Sequence, residues 1–210
     1  MLLTIDIGNS SICLGLFRED TLAATAKLSA DTKRSADEYA VIIRGLLETH
    51  GISPQEITAA IISSVVPKLT YTVEKALSWK DMTVYTVGNG VKTGISLKVD
   101  DPAQLGTDIV TNAAAAVKAY GAPVAVVDIG TATVISAVND QKALIGVAIS
   151  PGPAASLEGL RESAALTFLT EISARYFAAR LRTPRPGFPF RLRNFFCCSF
   201  PCWYSSSRSS

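Results

Sequence analysis

Asp6-Ile7-Gly8-Asn9-Ser10 and Asp128-Ile129-Gly130-Thr131-Ala132-Thr133 are the residues of this chain best suited to chemistry, and they occupy equivalent places in two similar stretches. Each sets a carboxylate beside a glycine and small hydroxyl or amide side chains at the end of an apolar run. Such a turn can grip a polyphosphate. The glycine lets backbone N–H groups approach phosphate oxygens, the hydroxyls donate hydrogen bonds, and the carboxylate addresses the accompanying cation. The two stretches are Leu2–Lys27 and Val124–Ala148; subtracting 122 sets Asp128, Ile129 and Gly130 on Asp6, Ile7 and Gly8, Val134 on Ile12 and Leu144 on Leu22. A repeat of this kind predicts two similar half-domains facing each other across a cleft. Between the copies stands Gly106-Thr107-Asp108 at the start of a helical pattern. A carboxylate there is placed to accept the proton of an alcohol attacking a phosphoryl group. The G-x-x-x-x-G-K-[ST] pattern of P-loop kinases does not occur.

These turns need elements to hold them. In each copy an apolar strand runs into the Asp-Ile-Gly turn, and two further strands follow, a three-stranded meander. After the first copy, Ser35-Ala36-Asp37-Glu38 has the capping-box pattern, and Ile42, Ile43, Leu46 and Leu47 form an apolar stripe ended by Gly51. Residues 59–65 read as a buried strand, Pro67 opens a helix to about Leu77, and residues 82–87 read as another strand. The order β-β-β-α-β-α-β describes an α/β half-domain. Residues 88–102 read as a loop, and a helix runs from about Gln104 to Tyr120, carrying the alanine run 113–116 and stopped by Gly121. The second copy runs to Ile149, and a helix over about 155–161 follows Pro151-Gly152-Pro153.

Charge divides the chain unevenly. Residues 1–170 carry 13 Lys+Arg against 17 Asp+Glu, whereas residues 171–210 carry seven Arg and one Glu. Nine of the aromatic residues and Cys197, Cys198 and Cys202 also lie after residue 175. This Arg-, aromatic- and Ser-rich composition predicts translation in a shifted reading frame, and a disordered tail. Asp6 interrupts the first apolar run before a secretory signal could form, and no run approaches about 18 apolar residues. With Cys13 the lone cysteine of the body, no disulfide framework is expected and a cytoplasmic setting is. Cys13 itself, between Ile12 and Leu14, reads as a packing residue. No nucleic-acid or membrane partner is expected.

Taken in order, Asp6–Cys13, Gly106–Ile109, Asp128–Thr133 and the segment from Gly146 to Gly152 resemble the type III pantothenate kinases, within the superfamily of actin, sugar kinases and heat-shock chaperones. The resemblance covers about residues 1–166. It implies duplicated ribonuclease-H-like half-domains around a nucleotide cleft, the second incomplete: residues 1–115 as the N-terminal half, 116–168 as the start of the C-terminal half, and 169–210 as the aberrant tail. It further implies ATP-dependent phosphorylation of pantothenate, the opening step of coenzyme A synthesis, in a homodimer. The first ATP-phosphate loop would be Asp6, Ile7, Gly8, Asn9, Ser10, Ser11, Ile12 and Cys13, with Asp6 helping to hold Mg²⁺ through water. Thr131 would contact ATP from the second loop, and Asp128 would ligate a monovalent cation, K⁺ or NH₄⁺. Gly106, Thr107, Asp108 and Ile109 would form the pantothenate segment, with Asp108 as proton acceptor. Gly146 and Pro151-Gly152 would line the adenosine side.

Two departures stand out. Many relatives carry Arg where this chain has Ile109, which removes a charge-assisted anchor for the substrate carboxylate, and Val99 stands where some carry a substrate-contacting Tyr. The Asn-Thr substrate segment and terminal helices are not recognisable after Leu166. Alongside the kinase reading stand a nucleotide-binding relative without turnover, a truncated non-functional product, and a kinase for another small hydroxylated acid.

Overall fold

The computed structural model describes residues 1–78, 82–88 and 91–163 of the 210. The tail 169–210, read above as frame-shifted and disordered, lies outside the described residues.

Alternating apolar residues build the first sheet. Strands β1 (Leu2–Ile7) and β2 (Ser11–Arg18) pair antiparallel, and β3 (Thr21–Ser29) adds to β2. The next pairings are parallel, because helices connect the strands: α1 (Ala36–Thr49) leads to β4 (Ala59–Ser64) beside β1, and α2 (Pro67–Ala76) leads to β5 (Thr83–Thr86) beside β4. The sheet order is β3-β2-β1-β4-β5. Leu3, Ile5 and Ile7 of β1 share a face with Ile12, Leu14 and Leu16 of β2, and all six pack in one core with Ile43 and Leu47 of α1 and Leu69 and Val73 of α2. The capping box forms as the sequence predicts. Ser35 Oγ accepts from Glu38 N–H at 3.3 Å, and Glu38 accepts from Ser35 N–H at 2.7 Å. That hydrogen bonding holds the Glu38 carboxyl below its usual value. Tyr39 is fully buried at the head of the apolar stripe; its hydroxyl donates to Asp31 O at 3.0 Å and accepts from Asp31 N–H at 2.9 Å, so a polar tip is carried into the core without loss.

The second sheet repeats the meander. Strands β7 (Val124–Ile129), β8 (Ala132–Val138) and β9 (Ala143–Pro151) pair antiparallel. A short strand β6 (Ser96–Leu97) adds parallel to β9, inside the stretch expected to be loop, and gives the order β6-β9-β8-β7. Helix α3 (Thr107–Tyr120) packs against β4, β7 and β8, and so bridges the two sheets. Ile109, Ala113 and Val117 enter a second core with Val138 and Leu144. The expected 115/116 boundary therefore falls inside α3, and Ser96–Leu97 already belongs to the second sheet. A final helix α4 (Pro153–Ser163) follows β9.

Register refines the repeat. Ile7 pairs with Ile12 across Gly8–Ser11, whereas Ile129 pairs with Thr133 across Gly130–Ala132, a turn one residue shorter. Val134 faces Asp128 as Cys13 faces Asp6, so Val134 corresponds to Cys13 and not, as constant subtraction gave, to Ile12. Along β2 and β8 the offset is 121. A β-bulge then falls at Leu16/Phe17 and at the corresponding Ala137/Val138. Beyond it Leu144 stands on Leu22 as expected, because both pair with the residue just past the bulge. The bulge marks the two meanders as copies more firmly than composition does.

The copies differ in cover. Leu14 is 0% exposed beneath the first-half helices, but its counterpart Ile135 is 46% exposed. Leu14→Ala is expected to cost about 2–5 kcal/mol through its cavity, and Ile135→Thr less than about 0.5 kcal/mol as a surface change; thermal denaturation of the two variants checks the contrast.

Candidate active site

Both turns open on one cleft. It is lined by Asp6–Ser11 from the β1–β2 turn, by Gly130, Thr131 and Ala132 from the β7–β8 turn, by Asp128 at the end of β7, and by Asp108 and Asn112 of α3, with Val65 and Val134. Strand ends deliver the two aspartates, because β1 and β7 both run toward the cleft and finish beside it. Gly8 N–H donates to Ser11 O at 2.9 Å and Gly130 N–H to Ala132 O at 2.9 Å, closing each turn. The turns touch: Ser10 Oγ and Thr131 Oγ1 lie 3.0 Å apart.

Pro151-Gly152 braces the second turn from below. Gly152 N–H donates to Thr131 O at 3.1 Å. A Cβ at Gly152 would overlap Gly130 O and stand 2.6 Å from Thr131 O and 2.8 Å from Thr131 C, all backbone atoms. Only glycine allows this approach.

The head of α3 is fixed by Thr107. Its hydroxyl donates to Ser64 O at 3.0 Å, accepts from Ser64 N–H at 3.2 Å, and lies 3.2 Å from Ser63 Oγ. That bond set ties α3 to the end of β4. Gly106 is the N-cap residue, and a Cβ on it would collide with Asp108 Oδ1 and stand 3.3 Å from Val65 Cγ1. The bare glycine thus leaves room for the Asp108 carboxylate at the helix start. Asp108 Oδ1 is buried and has no hydrogen-bond partner. Burial pushes the Asp108 carboxyl above the ordinary Asp value, a rise that hydrogen bonds from the backbone of Ile109 and Asp108 offset only in part. A buried, unpaired carboxylate oxygen is costly to folding, and such groups gather where chemistry is done.

Several expected residues fall outside this cleft. Ile12 is 1% exposed in the first core, and Cys13, 5% exposed, sits opposite Asp6 in the strand pairing; neither is among the residues that line the cleft. Ile109 is 7% exposed in the second core, so its side chain supplies no anchor. Val99 packs against the same core. Gly146 lies in β9 opposite Ala137. Thr107 lines a neighbouring cavity of about 490 Å³ with Val87, Leu97, Asp101, Leu105 and Val110. Asn112 was not foreseen, although its position four residues after Asp108 on a helix was the available signal.

The electrostatics of the cleft are one-sided. Asp6, Asp108 and Asp128 line it, and no Lys or Arg is among its described lining residues. A polyphosphate entering here meets carboxylates, so its charge has to be compensated by cations. No group of three His, Cys, Asp or Glu that could cage a metal occurs among the described residues. One carboxylate on each side, with hydroxyls between, suits cations that keep phosphate and water ligands. None of the helices among the described residues is long and apolar enough to cross a membrane.

Two meanders with matching bulges, each ending its first strand at the same cleft, define a duplicated α/β class of fold. Within that class, the model of the type III pantothenate kinase family matches residues 2–179, and the chain belongs to that family. It is 40% identical over 174 residues to the type III pantothenate kinase of Geotalea daltonii, covering 82% of this chain and 68% of the relative. It is 38% identical over 161 residues to that of Halalkalibacterium halodurans, covering 76% and 63%. For Brevibacillus brevis the figures are 40% over 166 residues, covering 79% and 65%. The chain thus spans about two thirds of the length of the curated relatives it matches. The family match continues past Leu166, where the motifs end, into residues outside the described ones.

Proposed function

We propose that this chain binds ATP between the two turns and transfers its γ-phosphoryl group to the alcohol of pantothenate, giving 4'-phosphopantothenate, the first step of coenzyme A synthesis. The observation that carries the reading is Asp108: a half-buried carboxylate whose Oδ1 is buried and unpaired, set in one cleft with both turns. The substrate comes from the family, whose matched relatives carry the name type III pantothenate kinase.

In this reading the alcohol oxygen attacks the γ-phosphorus, the new O–P bond forms as the bond to the β-bridging oxygen breaks, and ADP leaves. Asp108 takes the alcohol proton. Backbone N–H groups of residues 9–11 and 131–132, with the Ser10 and Thr131 hydroxyls, hold the phosphates in line, and positioning of this kind supplies most of the catalysis that phosphoryl transfer requires. Asp6 would hold Mg²⁺ through water and Asp128 a K⁺ or NH₄⁺ ion; bound there, they would neutralise phosphate charge that the described lining residues, none of them Lys or Arg, do not. Entry of the nucleotide separates Ser10 from Thr131, replacing their mutual bond with bonds to phosphate. The intact enzyme is read as a cytoplasmic homodimer.

A second reading has its own support. Ile109 faces the second core rather than the substrate, so no charged anchor stands beside Asp108 at that position. A protein of this kind binds nucleotide and does not turn over. Incubating the purified chain with ATP, Mg²⁺, K⁺ and pantothenate separates the two: phosphopantothenate and ADP formed in equal amounts is the expected result, and nucleotide binding with no product supports the second reading.

A further inference from the structure

Asn112 couples the two halves through the helix that carries Asp108. At 3.6 residues per turn, Asp108 and Asn112 project from one face of α3, and both line the cleft. The opposite face fixes the helix rotation, since Ile109, Ala113 and Val117 are packed in the second core. Asn112 Nδ2 donates to Asp128 Oδ2 at 3.3 Å. One turn earlier, Thr107 bonds Ser64 at the end of β4, and β4 pairs in parallel with β1 so that Asp6 stands beside Ser63. The helix is therefore tied to the first phosphate turn through Thr107 and to the second through Asn112. An amide just before the alanines 113–116 is a poor local choice for a helix, and the Asp128 bond offsets it.

We infer that Asn112 is a positioning residue: its amide orients the Asp128 carboxylate toward a nucleotide-associated monovalent cation and keeps Asp108 in register with the second turn. The inference rests on the cleft being the ATP site. It is a donor role, so geometry and donor capacity can be separated by substitution. Asn112→Leu keeps the volume and removes the donor, Asn112→Asp keeps the shape and replaces the donor with a second carboxylate, and Asn112→Gln restores an amide on a longer arm.

The test uses the full chain. Calorimetry measures the Kd of a non-hydrolysable ATP analogue with Mg²⁺ in KCl and in choline chloride at equal ionic strength; steady-state assays give kcat and KM for pantothenate; thermal melts monitor folding. For Asn112→Leu and Asn112→Asp the expected result is a loss of about 10- to 100-fold in kcat. KM should stay within about threefold and the melting point within a few degrees, with the K⁺-dependent part of nucleotide affinity gone and Asn112→Gln recovering much of both. Equal K⁺ dependence in wild type and Asn112→Leu overturns the inference, whatever the turnover. So does a loss that tracks a lowered melting point in Leu and Asp alike and that Gln does not relieve. A wild-type chain that binds nucleotide K⁺-dependently but forms no phosphopantothenate sinks the substrate reading alone, and the Leu variant then still decides the role of Asn112. A wild-type chain that binds no nucleotide ends both.

Discussion

Asp108→Asn is expected to remove phosphoryl transfer, leave nucleotide binding in place and make the folded chain more stable at neutral pH. The amide keeps the size of the side chain and cannot take the alcohol proton. Loss of a positioned general base lowers kcat by about 10²- to 10⁴-fold. The stability gain follows from burial. The Asp108 carboxyl is raised above 3.8 in the folded chain, chiefly by desolvation. A carboxyl raised in this way favours the folded state while protonated; that contribution is complete below the ordinary Asp range and is lost as pH climbs through the raised value. Above that raised value the folded chain holds an ionised carboxylate that it would be more stable without. The advantage of Asn over Asp should therefore widen between acid and neutral pH in thermal melts. Wild-type kcat/KM should fall as pH drops through the same raised value, above the range of an exposed Asp. Nucleotide Kd, unchanged in the variant, separates this outcome from damage to the fold.

Gly152→Ala is expected to abolish useful nucleotide affinity by spoiling the second turn. The added methyl would overlap Gly130 O and press on Thr131 O and C at 2.6 and 2.8 Å, and these backbone atoms cannot swing aside as a side chain can. Either the turn moves away from the cleft or the head of α4 does, and each breaks the Gly152 N–H bond to Thr131 O. Overpacking of this kind costs about 1–3 kcal/mol. The functional loss should be larger than that figure alone implies, because Gly130 and Thr131 are the residues displaced. Calorimetry with the ATP analogue should show Kd raised at least about tenfold, a difference of about 1.4 kcal/mol, while the first half, with its separate core, melts as before. An unaltered Kd would mean that the second turn does not hold phosphate.

Much of the site could be read from residue types because its parts are contiguous in the chain. The Asp-Ile-Gly turns and Gly106–Asp108 each carry their chemistry within a few residues, and the structure brings Asp6, Asp108, Asp128 and Thr131 to one cleft. Local signals also served the helices: Ser35 and Glu38 form the box that opens α1, and Pro67 opens α2. What escaped depended on distance or on missing periodicity. Ser96–Leu97 is too short to show alternation, and it is a strand only because β9 lies beside it. The shorter second turn was hidden because one residue is lost before β8 and regained after it, leaving a constant offset at both ends. Strand β2 is buried along six consecutive residues, so no alternation marked Ile12 and Cys13 as strand residues outside the cleft lining. Asn112 looked like an ordinary polar residue in a helix, since its partner Asp128 is 16 positions away and on another element.

A crystal structure of the chain with Mg²⁺ and a non-hydrolysable ATP analogue tests the central claim most directly. Phosphates should lodge between residues 8–11 and 130–132, with Ser10 parted from Thr131. An alcohol oxygen about 3–3.5 Å from the γ-phosphorus should lie within hydrogen-bond reach of Asp108. A nucleotide bound outside these turns, or a γ-phosphate too far from Asp108 for any acceptor to touch both, would contradict it.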